Sequence, residues 1–162
     1  MEIYWDLDGV LRDLNKMVYG YDPPGWNYPH PESGEDFLTI INRDFSILSN
    51  APPTEYLSIA LQQYKIHIAT CQYPGWWPHT LKWIDAHLPK AVVHRFGGWA
   101  GLQKTEFVRG RGILIEDSPR LRDYRNVWLI DRPYNRECNA PIRITSPDHL
   151  REMIDTLNHL VP

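Results

Sequence analysis

Five short apolar runs, each almost free of polar interruption, recur along this 162-residue chain and limit its fold more than any other feature. A strand exposed on one face alternates apolar and polar residues, whereas a continuous apolar run indicates a sheet buried on both faces. The runs are Ile3 to Trp5, Ile66 to Ala69, Ala91 to Val93, Ile113 to Ile115 and Val127 to Ile130. We therefore predict five strands inside the protein, covered on both sides.

Helical patterns lie between and after these runs. Apolar residues recur at helical spacing in Thr54 to Tyr64, His79 to Leu88 and Ser146 to Leu160. A Pro-Pro pair precedes the first stretch, proline follows the second, and Ser-Pro-Asp opens the third, as is typical of helix ends. Strands that alternate with helices predict a parallel sheet in a three-layer α/β fold, and the length fits a single domain over residues 1 to 162.

One long segment, Asn15 to Asn50, interrupts this alternation after the first predicted strand. Its front part, YGYDPPGWNYPHPESGED, is rich in proline, glycine and aromatic residues, so we expect it to be irregular. The part from Asp36 to Leu48 looks helical. Because long segments between secondary-structure elements usually carry function, we interpret residues 15 to 50 as a small cap within the domain.

Polar residues suited to a single chemical task follow the predicted strands. They are Asp6 and Asp8, Thr70, Glu116 and Asp117, with Lys104 between the third and fourth strands. Ligands of open parallel α/β sheets bind beyond the carboxyl ends of the strands, so we expect these side chains to converge on one pocket. Neighbouring carboxylates repel one another, and a hard divalent cation such as Mg²⁺ relieves the repulsion. The pattern therefore predicts a magnesium site.

Four motifs in this set resemble those of the haloacid dehalogenase (HAD) superfamily of phosphatases. DLDGVLRD is similar to the first motif, Thr70 at the end of IHIAT to the second, Lys104 to the third and LIEDSP to the fourth. Their order along nearly the whole chain also matches. DxDGVLxD, LIEDSP and DRPYNR (131 to 136) together resemble the 5'(3')-deoxyribonucleotidase branch. The resemblance implies a HAD-like, Rossmann-like sheet with a small cap inserted after strand 1.

The resemblance also implies a role for each residue of these motifs. Asp6 would attack phosphorus to form an aspartyl phosphate, and Asp8 would exchange protons with the leaving oxygen and with water. Thr70 would donate a hydrogen bond to the phosphoryl group, and Lys104 would balance negative charge. Asp6, Asp117 and the backbone carbonyl of Asp8 would bind Mg²⁺. The sequence thus leads us to expect an Mg²⁺-dependent phosphatase with an Asp6 nucleophile.

The fourth motif departs from the more usual Asp-Asp pair, since this chain has Glu116 before Asp117. The second acid is then the expected direct ligand of the metal. We expect Glu116, with its longer side chain, to support the site from outside the ligand set.

Aromatic residues outside the predicted helices raise the question of substrate contact. Trp26 and Tyr28 of the insert could pack in a core or stack on a nucleobase, and the sequence leaves both possibilities open. For Trp99 and Trp128 we expect packing. Arg12 could be solvated or face a substrate. Cys71 lies beside Thr70 but lacks the arginine spacing of thiol phosphatases, so we assign it no catalytic role.

Composition argues against a protein that binds a nucleic-acid duplex and does not argue against a small phosphorylated substrate. The net charge is -3, whereas proteins that bind a duplex backbone usually present a basic face. No apolar stretch reaches membrane-helix length, and the amino terminus lacks the pattern of a signal peptide, so we expect a cytoplasmic protein.

The expected substrate is a nucleoside monophosphate. The alternatives are a sugar phosphate, a nucleic-acid end, or a non-catalytic domain that binds a phosphorylated ligand or a protein.

Overall fold

A single six-stranded sheet forms the centre of the protein in a computed structural model that describes residues 1 to 160. The strands are β1 (Glu2–Trp5), β2 (His67–Gln72), β3 (Val92–Gly97), β4 (Gly112–Glu116), β5 (Val127–Ile130) and β6 (Arg143–Ile144). They run in the order β3-β2-β1-β4-β5-β6, and every neighbouring pair is parallel. β1 therefore lies inside the sheet, and its carboxyl end is flanked by the ends of β2 and β4.

Helices cover both faces of this sheet. They are α1 (Leu14–Tyr19), α2 (Phe37–Arg43), α3 (Ser46–Asn50), α4 (Leu57–Ala60), α5 (Trp77–His87), α6 (Gly101–Val108) and α7 (Pro147–Leu160). On one face, Trp5 and Trp128 of the sheet pack against Trp83 of α5 and Leu150 of α7. The α/β fold class predicted from the sequence is confirmed. No helix within residues 1 to 160 has both the length and the apolar character needed to cross a membrane.

The opposite face of the sheet packs mainly against α6. Tyr4, Leu114 and Val127 of the sheet form one buried cluster with Val108 of that helix. Burying an apolar side chain of this size contributes about 1.5–3 kcal/mol relative to leaving it in water. This packing fixes α6 beside the carboxyl ends of β1 and β4.

The segment after β1 forms α1, α2 and α3 and has a small apolar cluster of its own. Leu14, Ile41 and Leu48 of the segment pack with Trp76, which directly precedes α5, and all four are buried. The indole nitrogen Nε1 of Trp76 donates a hydrogen bond to Oδ1 of Asn42 at 2.8 Å. The insert is thus anchored on the amino-terminal end of α5, close to the strand ends.

The helix predicted from Thr54 to Tyr64 is much shorter in the structure. Only Leu57 to Ala60 are α-helical. Leu61 is 52% exposed and Tyr64 is fully exposed, so residues beyond Ala60 offer no apolar face to bury. Because helices in proteins are stabilised mainly by packing of such a face, the chain turns here instead.

The helix predicted from Asp36 to Leu48 is divided into α2 and α3. The break lies at Asp44, whose backbone is extended and whose carboxylate accepts a hydrogen bond from the backbone N–H of Ser46 at 3.0 Å. The structure also contains two elements that the sequence did not indicate, α1 and β6. β2 continues two residues beyond Thr70, to Gln72.

Candidate active site

Three buried carboxylates meet where β1 and β4 end. Asp6 directly follows β1, Glu116 is the last residue of β4, and Asp117 comes next in the chain. β1 and β4 are paired in parallel, and the backbone N–H of Asp6 donates to the carbonyl of Ile115 at 2.9 Å. One carboxylate oxygen from each acid lies within 4.8 Å of the others. The predicted convergence of these residues is present in the fold.

Lys104 of α6 reaches into this acidic cluster. Its ammonium group lies 2.9 Å from Oδ1 of Asp6 and 2.5 Å from Oε2 of Glu116, and the residue is only 3% exposed. Burial would lower the pKa of Lys104, but the charges of Asp6 and Glu116 outweigh it and raise the pKa. Lys104 therefore stays protonated and joins two acids that would otherwise repel each other.

Glu116 is almost fully engaged by hydrogen-bond donors. Its Oε1 accepts from the backbone N–H groups of Asp117 at 3.0 Å and Ser118 at 3.1 Å, while Oε2 accepts from Lys104. Burial would raise the pKa of Glu116, yet the Lys104 charge and these donors lower it overall. The carboxylate is charged, and its oxygens are already bonded to protein. This arrangement agrees with a supporting role for Glu116 rather than direct metal binding.

Asp117 is held by residues of the DRPYNR segment that follows β5. The hydroxyl of Tyr134 donates to Oδ2 of Asp117, and Nδ2 of Asn135 donates to the Asp117 backbone carbonyl at 2.7 Å. Burial raises the pKa of Asp117, and the charges of Glu116 and Asp6 raise it further. Asp117, which follows β4, is therefore held in place by groups that follow β5.

The donor set fits a hard divalent cation. Burial raises the pKa of Asp6, the charge of Glu116 adds to the effect, and Lys104 only partly opposes it. One ammonium thus faces three carboxylates, and a bound divalent ion would balance the remaining charge. Carboxylate oxygens are the ligands that Mg²⁺ prefers. Asp6 and Asp117 are the side chains best placed to hold it, because Glu116 is occupied by other donors.

Gly9 gives the Asp117 carboxylate its space. The backbone of Gly9 has a φ of +83°, and a Cβ atom there would lie 1.9 Å from Oδ2 of Asp117. A side chain at this position would both strain the backbone and occupy the place of the carboxylate. The glycine of the DLDG motif is therefore needed for the geometry of the acidic cluster.

Asp8 lies outside the three-carboxylate cluster and lines the neighbouring cavity. Its Oδ1 accepts from Nε of Arg12 at 2.6 Å, and its Oδ2 accepts from Nε2 of Gln72 at 3.0 Å. Arg12 is fully buried and also donates to the Leu48 carbonyl at 2.8 Å. Its side chain is therefore not solvated, and it does not face the cavity. These contacts orient the Asp8 carboxylate. Metal binding by Asp8, which the resemblance assigns to its backbone carbonyl, remains a prediction.

Thr70 lies close to the site but does not line the cavity. Its Oγ1 accepts from Nε2 of Gln72 at 2.8 Å within the interior of β2. The next residue, Cys71, lines the cavity, and burial raises the pKa of its thiol to about 11. A protonated thiol is a poor nucleophile, in line with the absence of a catalytic role for Cys71. Hydrogen bonding of Thr70 to a phosphoryl group remains a prediction.

A cavity of about 400 Å³ opens above the acidic cluster. Its walls come from the insert and from loops after β2, β3, β4 and β5. The aromatic side chains that line it are Tyr19, Trp26, Phe37, Tyr73, Trp76, Trp99 and Tyr134. Pockets of this size and apolar character are typical of small-molecule sites.

The predicted substrate residues of the insert occupy different environments. Trp26 lines the cavity, is 40% exposed, and has its ring centroid 5.7 Å from that of Tyr134. Tyr28 is not among the lining residues, and its backbone carbonyl accepts from the hydroxyl of Tyr19 at 2.8 Å. Trp128 is buried as expected, but the expectation that Trp99 is packed is wrong, since Trp99 is 74% exposed.

Several residues of the site escaped sequence reasoning. Gln72 contacts Asp8 across 64 positions of the chain, and no local pattern announces such a contact. Arg120 lies in a short 3-10 helix and Trp99 in a turn, and the positions of both depend on the folded structure. Tyr134 and Asn135 stand within the DRPYNR motif, so that motif was the available signal for them.

The sequence matches no model of a known protein family and no curated protein at a significant level. The function is therefore inferred from the geometry of the site and from the motifs within it.

The two acids of the fourth motif should differ in their effect on metal binding. We expect Asp117→Asn to weaken Mg²⁺ binding by more than the roughly 10- to 100-fold that loss of an outer partner typically causes, because it removes a directly bound charge. Glu116→Asp should weaken binding less. Calorimetric titration with Mg²⁺ measures both, and Asp148→Asn on the surface of α7 is the matched control. Equal, severe losses would mean that Glu116 also binds the metal directly.

Proposed function

We propose that this protein is an Mg²⁺-dependent phosphomonoester hydrolase that acts through an aspartyl phosphate on Asp6. The observation that carries the proposal is the buried Asp6 carboxylate, bonded to Lys104 at 2.9 Å and grouped with Asp117 at the base of an aromatic cavity. The resemblance of the motifs around these residues to the HAD superfamily supports the same reaction. The preferred substrate is a nucleoside monophosphate, as in the 5'(3')-deoxyribonucleotidase branch.

Asp6 is the group suited to attack phosphorus. Lys104 favours the charged form of its carboxylate and holds one oxygen, which leaves the other oxygen to bond to phosphorus. As the Asp6–phosphorus bond forms, the bond between phosphorus and the ester oxygen breaks. Mg²⁺, when bound by Asp6 and Asp117, supplies positive charge that stabilises the phosphoryl oxygens. Lys104 supplies a second, permanent positive charge at the same place.

Asp8 is the group suited to move protons. It lines the cavity beside Asp6, and Arg12 and Gln72 fix both of its oxygens. Asp8 has to enter the first step protonated, and it gives that proton to the departing oxygen, which yields the free alcohol. In the second step it accepts a proton from the water that attacks phosphorus. The bond between Asp6 and phosphorus then breaks, inorganic phosphate leaves, and both acids return to their initial state.

The insert supplies the contacts that distinguish one leaving group from another. Chemistry at Asp6 needs only the phosphoryl group, so selectivity must come from the walls of the cavity. The ring of Trp26 lines that wall and is 40% exposed, which leaves surface for a nucleobase to stack on.

Nucleoside monophosphates are cytosolic metabolites, and both cysteines, Cys71 and Cys138, are free thiols. We therefore place the proposed activity in the cytoplasm.

Phosphate release is the direct test of this function. With Mg²⁺ we expect release from nucleoside monophosphates to exceed release from sugar phosphates, and an excess of chelator to abolish it until Mg²⁺ is restored. The expected need for Mg²⁺ follows from the buried acids, which require a divalent ion to balance their charge. Preference for sugar phosphates would overturn the nucleotidase proposal alone. Absence of release from every phosphomonoester would instead favour a domain that binds phosphorylated ligands or proteins without catalysis.

Asp6→Asn should remove catalysis while preserving the shape of the site. We expect a loss of several orders of magnitude in kcat, because a neutral amide cannot serve as the nucleophile. Substrate binding should survive, since one repulsive charge has been removed. Kinetics and circular dichroism on the same preparation separate lost chemistry from lost folding. A variant with nearly the kcat of the native enzyme would exclude Asp6 as the nucleophile.

Trp26→Ala should weaken the use of nucleotides more than that of small esters. Stacking of a base on an aromatic ring is worth roughly 1–3 kcal/mol, or about 5- to 150-fold in affinity. We expect a loss of this size in kcat/KM for a nucleoside monophosphate and a much smaller loss for para-nitrophenyl phosphate. Tyr21→Ala, another exposed aromatic residue of the insert that does not line the cavity, is the control. Equal losses on both substrates would indicate that Trp26 supports the fold of the insert.

A further inference from the structure

Trp99 is an exposed tryptophan that the site as described leaves without a role. It lines the cavity, and 74% of it is accessible to solvent. Its ring packs on Tyr73 in an edge-to-face arrangement, with centroids 5.2 Å apart and an angle of 82° between the planes. The indole is thus supported on one side by Tyr73, and much of its surface is free for a ligand. Leu102, which is 62% exposed, lines the same cavity, and exposed apolar patches of this kind mark sites for ligands or partners.

The loop before Trp99 is built to hold it against Tyr73. A Cβ atom on Gly98 would lie 2.3 Å from the Tyr73 ring, so only glycine permits this close approach. The backbone N–H of Ala100 donates to the carbonyl of Gly97 at 2.9 Å and closes the turn around Trp99. The position of Trp99 is therefore specified by the fold around it.

Trp99 and Trp26 lie on opposite flanks of Asp6. Trp99 follows β3, two strands to one side of β1, whereas Trp26 contacts Tyr134, which follows β5 on the other side. Neighbouring strands are spaced by about 4.8 Å, so the ends of β3 and β5 are separated by roughly 19 Å. Each ring packs on its own partner, Trp99 on Tyr73 and Trp26 on Tyr134. The cavity thus has two separate aromatic surfaces.

Arg120 supplies a positive charge between these surfaces. It follows β4, lines the cavity, and has its guanidinium carbon 6.0 Å from the centre of the Trp26 ring. Arg120 also lines the same cavity as Tyr73, the residue on which Trp99 packs. Arg120 forms no ion pair with any carboxylate of the described residues. Its donors are available to an anion.

We infer that the cavity also accepts a dinucleotide with a terminal phosphomonoester, whose two bases contact Trp26 and Trp99 and whose internal phosphodiester contacts Arg120. The inference rests on the proposed phosphatase function and extends the substrate beyond a mononucleotide. Alternating aromatic and cationic contacts are the means by which proteins bind single-stranded nucleic acid. The ligand is short, because Lys104 is occupied by acids and Arg120 is the other basic residue among those that line the cavity.

The continuity of Trp99 with the catalytic cavity favours a substrate over a protein partner. Trp99 and Leu102 are both exposed at the mouth, yet both also line the same cavity as Asp6 and Lys104. A molecule that covers them and enters the cavity reaches the nucleophile. The cation at Arg120 matches the charge of a phosphodiester, which a purely apolar protein segment would leave unpaired.

Binding to Asp6→Asn, which cannot turn over substrate, tests the inference by calorimetry. We expect a phosphorylated dinucleotide to bind about 5- to 150-fold more tightly than the corresponding mononucleotide, the range given by one additional stacked base. Trp99→Ala should abolish this advantage and Trp99→Phe should keep most of it. Tyr64→Ala, which removes a fully exposed aromatic residue outside the cavity, should leave it unchanged. Dinucleotides with a 5'-phosphate and with a 3'-phosphate show which end is accepted.

The salt dependence of binding tests the contribution of Arg120 separately. Each phosphate contact to a single strand adds about 0.7 to the slope of log affinity against log salt concentration. Arg120→Gln should reduce the slope for the dinucleotide by about that amount. Arg125→Gln, an exposed arginine that does not line the cavity, is the control. An unchanged slope in Arg120→Gln would overturn the assigned phosphodiester contact.

Failure of this inference can be distinguished from failure of the proposed function. Equal affinity for dinucleotide and mononucleotide would overturn the two-base site even if the native enzyme releases phosphate from both. A Trp99-dependent preference without any phosphate release would support the two-base site and reject the phosphatase. If Asp6→Asn does not fold, kinetics can replace the binding measurement. The ratio of kcat/KM for the dinucleotide to that for the mononucleotide, compared between the native enzyme and Trp99→Ala, then tests the two-base site.

Discussion

The ion pairs of Lys104 with Asp6 and Glu116 connect the three parts of the structure on which the site depends. β1 provides Asp6, β4 provides Glu116, and α6 provides the ammonium group between them, all of them nearly excluded from water. Removing one partner of a buried ion pair typically costs about 3–5 kcal/mol, because it leaves an uncompensated charge. Apolar side chains would fill the same space without the cost of an uncompensated charge. We therefore interpret the cluster as retained for chemistry rather than for stability.

The site has two parts: a base whose acids are held by hydrogen bonds, and a mouth formed by exposed side chains. Asp8 is fixed by Arg12 and Gln72, and Asp117 is fixed by Tyr134, so the groups proposed to react are oriented by buried hydrogen bonds. The mouth instead consists of exposed aromatic residues on loops and on the insert. In the proposed reaction, such a division would keep the chemistry at phosphorus constant while the loops determine which leaving group is accepted.

The sequence predicted the sheet better than the helices. The five apolar runs all correspond to strands, because a strand buried on both faces has a continuous pattern that hardly depends on its neighbours. The prediction from Thr54 to Tyr64 was too long, since its later residues have nothing to pack against. α1 and β6 were missed because they are short and are stabilised by contacts with distant parts of the chain.

For the candidate site, local sequence patterns were enough to predict which acids come together. Asp6 and Asp117 follow two runs that pair as parallel strands, and parallel strands bring their carboxyl ends to one edge. The surroundings of those acids, in contrast, became known from the folded structure. The contact of Gln72 with Asp8 and the exposure of Trp99 depend on how separate segments pack, a property that no local pattern records. The physical reason is that strand pairing follows a regular repeat along the chain, whereas side-chain contacts between loops follow none.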